Sequence, residues 1–213
     1  APPGTEYAPN PLGFAAINDP ELTAEATRMM AAQAAAFGIN WSYTPSFDIN
    51  AAFRSAITAT RSFGSSVEKV RAHAIAHMKA LQEQGFAATA KHWPGEGYDD
   101  RDQHLASTVN PLSMEEWEAS YGQLYRAAIA EDVLSVMTAH VALPAFMREI
   151  GASGEDLLRP ASINKALNET LLRERLGFKG VIVSDATAMA GVTSWLTRDR
   201  IVIEVLNAGS DVI

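Results

Sequence analysis

The chain has 213 residues, enough for one sizeable domain with its own core, and 47% apolar against 20% charged residues is globular rather than disordered composition. A formal net charge of -8 with scattered Lys and Arg offers no surface for DNA or RNA, and the lack of cysteine excludes disulfides and thiolate metal sites without choosing a redox compartment. No apolar run approaches the roughly 20 residues of a membrane helix, and Ala-Pro-Pro-Gly at the N-terminus lacks the regions of a signal peptide; a cytoplasmic protein is expected, unless a signal was cleaved ahead of Ala1.

Residues 1–18 are rich in Pro, Gly and Asn and read as a loop. Asp19-Pro20 then supplies an N-cap and a first-turn proline, opening a helix that runs to Gly38. A strand over residues 39–47 delivers Asp48. Ser65 and Glu68, at capping-box spacing, start a second helix with the stripe Val67, Val70, Ala74, Met78 and Leu81, stopped by Gly85. A strand over residues 86–90 runs into Lys91-His92. Ser113 and Glu116 repeat the capping signal before Met114, Trp117, Tyr121, Leu124 and Ala128. The strand 133–139 ends on His140, a helix from Ser162 carries Ile163, Leu167, Leu171 and Leu172 to Gly177, and the strand 180–184 ends on Asp185. A last helix over Arg198–Asn207 precedes a short fifth strand at 211–213.

The strands are short and rich in Val, Ile and Ala, as buried parallel strands are, and they alternate with helices, which predicts an α/β fold. Four of them end on a chemically able residue at near-constant spacing, the placement of catalytic groups in a parallel barrel. A core needs no Asp or Lys there. About five βα units are countable, whereas a closed (β/α)8 barrel of the TIM type needs eight. Residues 1–213 therefore read as a partial barrel domain with N-terminal strands and the last strand missing, or as a barrel with atypical strands in residues 1–18. The connections 93–112 and 141–160 are longer than a usual βα loop, and such loops are usually functional.

The densest chemistry is Lys91-His92-Trp93-Pro94-Gly95-Glu96-Gly97, continuing to Asp102-Gln103-His104. Lys and His at a strand end can hold sugar hydroxyls or phosphate oxygens, and the Pro and Gly residues force a turn that brings backbone close to a ligand. Asp102 and His104 can pair, the carboxylate orienting the ring for proton transfer; a solvated acidic loop is an equal reading. Asp185 is either a lone functional carboxylate or the cap of the helix that follows. His73 and His77, at i and i+4, suit an amphipathic helix face better than a metal, since no Glu follows the first His. Glu96, Asp99, Asp100 and Asp102 read as a solvated loop, lacking a calcium-loop pattern. Met29-Met30, Trp117, Tyr121 and Tyr125 read as core.

Together these segments resemble the catalytic barrel of family 3 glycoside hydrolases, nearest the branch of bacterial β-N-acetylglucosaminidases. That branch carries Lys-His-Phe-Pro-Gly-His-Gly followed by Asp-Ser-His, at the interval seen here from Lys91 to His104. Arg61-Ser62-Phe63-Gly64, the segment ending Thr138-Ala139-His140, and Val183-Ser184-Asp185 match as well, so the resemblance covers nearly the whole chain from Pro11 to Ile213.

The resemblance implies a retaining exo-β-glycosidase acting on terminal β-linked glucose or N-acetylglucosamine. It implies Asp185 as nucleophile, His104 as acid/base with Asp102 as partner, and Arg61, Lys91 and His92 as ligands of sugar hydroxyls. His140 is a further pocket candidate, and Asp48 braces its strand end. No metal or organic cofactor is implied. The expected partners are a small β-glycoside, with inorganic phosphate as alternative acceptor, and further chain segments completing the barrel. An imidazole acid/base repels an incoming anion less than a carboxylate would, which opens the phosphorylase reading. A non-catalytic sugar-binding remnant is the reading from another class. Trp93, Glu96 and Gln103 replace the Phe, His and Ser of the pattern, which leaves the preference for an N-acetyl group open. The family's first strands, with an acidic substrate-binding residue and a Glu-Gly-Gly turn, have no counterpart in the sequence.

Overall fold

The computed structural model describes residues 7–213, so the expected loop over residues 1–6 lies outside it. The rest of that expected loop is instead partly helical. In α1 (Pro11–Ile17) the Asn10 side chain accepts from Gly13 N at 2.9 Å and Pro11 fills the first turn. This is the same cap-and-proline signal as at Asp19-Pro20, hidden by the surrounding Pro and Gly content. Asp19 caps α2 (Pro20–Ala35), which stops short of Gly38 in a closing turn.

β1 (Trp41–Ser42) is shorter than expected, because Pro45 has no N–H for a ladder. The chain nevertheless stays beside the next strand through a Ser46–Lys91 bridge and carries Asp48 to the same edge. In α3 (Val67–Glu83) the cap is Ser66, one residue beyond the expected Ser65; its hydroxyl oxygen accepts from Lys69 N, and Val70, Ala74, Met78 and Leu81 are buried. β2 (Ala87–Trp93) extends past the expected boundary and includes Lys91 and His92. β3 (Thr108–Val109) follows. α4 (Met114–Trp117), with both arms of the Ser113–Glu116 capping box formed, passes through a π-helical turn, Glu118–Gly122, into α5 (Gln123–Ala130).

Next come β4 (Ser135–Thr138), β5 (Val141–Ala142) and α6 (Pro144–Glu149). The helix expected from Ser162 is split. A 3-10 turn, Ala161–Ile163, precedes a π-helical segment, Ala166–Arg175, and Asn164 Oδ1 caps the latter by accepting from Ala166 N and Leu167 N. β6 (Val181–Ser184), α7 (Ala190–Thr193) and α8 (Arg198–Asn207) complete the described elements. The fifth strand amounts to one bridge, Val183–Val212.

The main sheet is wholly parallel with order β1-β2-β4-β6. Its strands neighbour one another in chain order, with no reversal, like consecutive staves of a barrel and unlike a doubly wound sheet. This is the TIM-barrel-like α/β architecture. One face carries Ala88, Ala90, Val136 and Ile182 against Val70, Met78, Leu124, Leu167 and Leu171 of the helices, in one continuous core. Trp117, Tyr121 and Tyr125 belong to it as expected, whereas Met29 is exposed. The other face bears a polar row in which Trp41 Nε1 donates to Thr89 Oγ1 and Ser135 Oγ at 2.9 and 3.1 Å. The two long connections meet as a second, two-stranded parallel sheet, β3-β5, which no sequence signal announced.

His73 and His77 sit in the seam between α2 and α3. His73 Nδ1 bonds Thr23 Oγ1 at 2.8 Å, and the two His77 nitrogens bond Thr27 and Thr44 hydroxyls at 3.0 and 2.9 Å. Burial pushes His77 down to about 4. No helix among the described residues is long and apolar enough to cross a membrane.

Candidate active site

The turn that leaves β2 is fixed by close approach. Gly95 and Gly97 have φ of +120° and +121°, and a Cβ would lie 2.3 Å from the Tyr121 ring at the first and 1.9 Å from Ile49 O at the second. Only glycine fits there. Three donors clamp the turn from beneath: Tyr121 OH to Glu96 O at 2.5 Å, Trp117 Nε1 to Pro94 O at 2.8 Å and Asn110 Nδ2 to Gly95 O at 3.1 Å. The turn is thereby locked onto the core.

Asp48 is the hub of this edge. Buried, it accepts from Ser46 Oγ at 2.8 Å, from the backbone N–H groups of His92 and Glu96 at 3.0 Å each, and lies 2.6 Å from His92 Nδ1. Burial alone would raise its pKa, but the His92 charge and the hydrogen bonds from His92 and Ser46 outweigh it and the shift is downward. Burial likewise disfavours the charged form of His92, and Asp48 reverses that, raising its pKa. The two form an imidazolium–carboxylate pair. It braces the strand end, as expected of Asp48.

His92 Nε2 faces outward, 3.5 Å from Arg61 Nη2 and 4.0 Å from Asp185 Oδ2. Lys91 stands beside them, its pKa lowered by burial and by Arg61. Arg61, Phe63, His77 and Lys91 also line a cavity of about 220 Å³. Asp185 projects from the end of β6 with its backbone N–H on Thr138 O at 2.9 Å and its Oδ1 accepting from Ala186 N at 2.8 Å. It does not cap a helix: α7 begins only at Ala190, with Met189 at the cap. Its side chain is 16% exposed, a carboxylate opening to solvent.

Asp102 and His104 form the expected dyad, with Nδ1–Oδ1 at 2.6 Å and the His104 backbone N–H on the same oxygen at 2.8 Å. Burial pushes the Asp102 pKa up less than the hydrogen bonds from His104 pull it down. The loop is docked on the segment following Asp185, since Gly191 N and Ala190 N donate to the carbonyls of Gln103 and His104 at 2.9 and 3.0 Å. The dyad loop and the segment after Asp185 are both tied to His140, whose backbone N–H donates to Gln103 Oε1 at 2.7 Å and whose Nε2 lies 3.0 Å from Ala186 O.

His140 itself has another task than the expected sugar contact. It is fully buried, Nε2 donates to Ala186 O at 3.0 Å, and Nδ1 accepts from Ser162 Oγ at 2.8 Å. Burial lowers its pKa, in keeping with this neutral tautomer. With both nitrogens engaged it holds the segment behind Asp185 in place.

Glu96 is not part of a solvated loop. It is buried, with Oε2 3.5 Å from His92 Nδ1, and burial pushes its carboxyl up to about 7. Asp99 is likewise structural, pairing with Arg101 and accepting from Val109 N at 3.0 Å. Ligand atoms of Asp48, His92 and Glu96 lie within 4.8 Å of one another, but His92 Nδ1 and both Asp48 oxygens are engaged, so the three act as a hydrogen-bonded network. The burial of Glu96 and Gln103 and the Ser162–His140 bond were missed in the sequence; the only signal for the first two was their departure from the family pattern.

Comparison with known proteins gives the family of the chain. The chain is 45% identical over 202 residues to a β-N-acetylglucosaminidase/β-glucosidase of Cellulomonas fimi, covering 94% of this chain and 36% of that protein. It is 32% identical over 195 residues to a β-hexosaminidase of Methylobacillus flagellatus, covering 91% and 52%. Among solved structures, a β-glucoside phosphorylase superposes with a TM-score of 0.94 at 34% identity, over 98% of this chain and 37% of that one. A family 3 β-N-acetylglucosaminidase from Paenibacillus sp. gives 0.91 at 32% identity, over 99% and 38%. The chain thus spans about half or less of the length of these relatives. The family model described as glycosyl hydrolase family 3 N terminal domain matches residues 3–213, and the chain belongs to that family.

Proposed function

We propose that the intact protein is a retaining exo-β-glycosidase that hydrolyses terminal β-linked glucose or N-acetylglucosamine. The observation that carries this reading is that the loop bearing the Asp102–His104 dyad is hydrogen-bonded to the segment that follows the open carboxylate Asp185 and to His140 behind it, with His92 4.0 Å from Asp185. In the first step an Asp185 oxygen attacks the anomeric carbon while the bond to the leaving oxygen breaks and His104 gives that oxygen its proton. In the second, water attacks the same carbon, His104 takes the water proton, and the bond to Asp185 breaks. Arg61, Lys91 and His92 hold the sugar hydroxyls. Asp102 keeps the ring oriented.

Phosphate in place of water is the second reading, favoured by the similarity to the β-glucoside phosphorylase and by an acid/base that carries no negative charge of its own. One assay addresses both. Aryl β-glucoside and aryl β-N-acetylglucosaminide are incubated with and without phosphate, and the products identified. Free sugar at equal rates in both supports the hydrolase; a sugar 1-phosphate, with slow release otherwise, supports the phosphorylase. Asp185→Asn abolishes either activity. Full turnover in that variant rejects the assignment of Asp185, and sugar binding without turnover in the wild type points to the remnant.

A further inference from the structure

Two positions at which this chain departs from the pattern beside the sugar site, Glu96 and Gln103, touch each other. Gln103 Nε2 donates to Glu96 Oε2 at 3.2 Å, and its Oε1 accepts from the His140 backbone N–H at 2.7 Å. Its own carbonyl accepts from Gly191 N at 2.9 Å. Gln103 is 1% exposed, while the side chain of the adjacent His104 is 47% exposed. Burying a primary amide is costly unless both its ends are bonded, and here both are. The three ties reach three separate places: the turn after β2, the end of β4, and α7 beyond β6. A serine in this position would be too short to make either side-chain bond.

We propose that Gln103 is a positioning residue that latches the loop carrying Asp102 and His104 across these strand ends, so that the imidazole stands at the site before substrate arrives. It lies between the two members of the dyad, and fixing it fixes both. The proposal rests on the acid/base reading of His104.

The test is kcat/KM, which reports the first chemical step, for aryl β-glycosides of graded leaving-group acidity with the intact protein. A misplaced catalytic group costs about a hundredfold when it shifts by roughly 1 Å. Gln103→Ala is expected to lose on that order with poor leaving groups and little with a dinitrophenyl glycoside. Gln103→Glu, which sets two carboxyl groups face to face, is expected to fall further. The double variant Glu96→Gln/Gln103→Glu restores a donor opposite an acceptor and keeps an oxygen for His140 N, so most of the loss should return. Equal losses on every leaving group, or no recovery in the double variant, overturn the latch. Failure of the underlying reading is distinct, because His104→Ala would then keep its activity on poor leaving groups. Amide hydrogen exchange over residues 98–107 gives a readout independent of turnover. Faster exchange concentrated there in Gln103→Ala is expected; unchanged exchange refutes the latch.

Discussion

At the scale of single residues, the strand-end edge is organised by charge taken out of water. Asp48 and His92 compensate each other only as a pair, since either alone would be an unpaired buried charge. Asp48→Asn keeps the shape but removes the anion and turns an amide toward donors. It should cost about 3–5 kcal/mol in urea unfolding at neutral pH. A loss below about 1 kcal/mol would mean that His92 is neutral and the bond an ordinary one. Asp48, Lys91-His92, Asp185 and the Asp102–His104 pair were legible in the sequence because each stands at a strand end or within two residues of its partner. The Glu96–Gln103–His140 chain was not. It joins residues from separate segments through side-chain amides and backbone groups, and no local period encodes that. His140 was misread for a related reason: a strand-end histidine looks the same whether its nitrogens face a ligand or, as here, Ser162 and Ala186.

At the scale of elements, caps and apolar stripes placed α3 and the start of α4 closely, whereas strand limits depended on neighbours. β2 gained residues because the following turn is pinned by Tyr121 and Trp117, and β1 lost them at Pro45. Having so short a ladder, β1 relies on a side chain to reach across the sheet. Trp41 Nε1 bridges to Thr89 on β2 and Ser135 on β4, whose hydroxyls also bond each other at 2.6 Å. Trp41→Phe removes the donor and leaves that hydroxyl pair intact, so the expected cost is about 1 kcal/mol, the net value of one hydrogen bond. The amide of Ala87, which donates to Asn40 O, should exchange faster in the variant. Exchange at the wild-type rate would mean that the backbone ladder alone holds this edge.

At the scale of the whole molecule, two groups, one in the α2–α3 seam and one on the turn after β2, set opposing responses to pH. His77, in the α2–α3 seam, is lowered from its ordinary 6.5 to about 4. Between those values the unfolded chain binds a proton that the folded one refuses, so stability falls as pH drops through this window. Glu96 is raised from 4.5 to about 7. Between those values the folded chain keeps a proton that the unfolded one has released, so stability falls as pH rises. The windows overlap from 4.5 to 6.5, where the two slopes cancel. Each variant should expose the other group. Glu96→Gln leaves His77 unopposed, and its unfolding free energy should climb with pH across the overlap. His77→Gln, which can still bond Thr27 and Thr44, removes one of the groups opposing Glu96, the lowered His73 and His140 remaining in both variants, so its unfolding free energy should climb less with pH than that of Glu96→Gln over the same range. Titrations shared by both variants drop out of the comparison, so denaturant unfolding at three pH values between 4.5 and 6.5 suffices. Diverging slopes are expected. Parallel curves would mean that one of the two carries its ordinary charge within the fold, and the balance between seam and site would not exist.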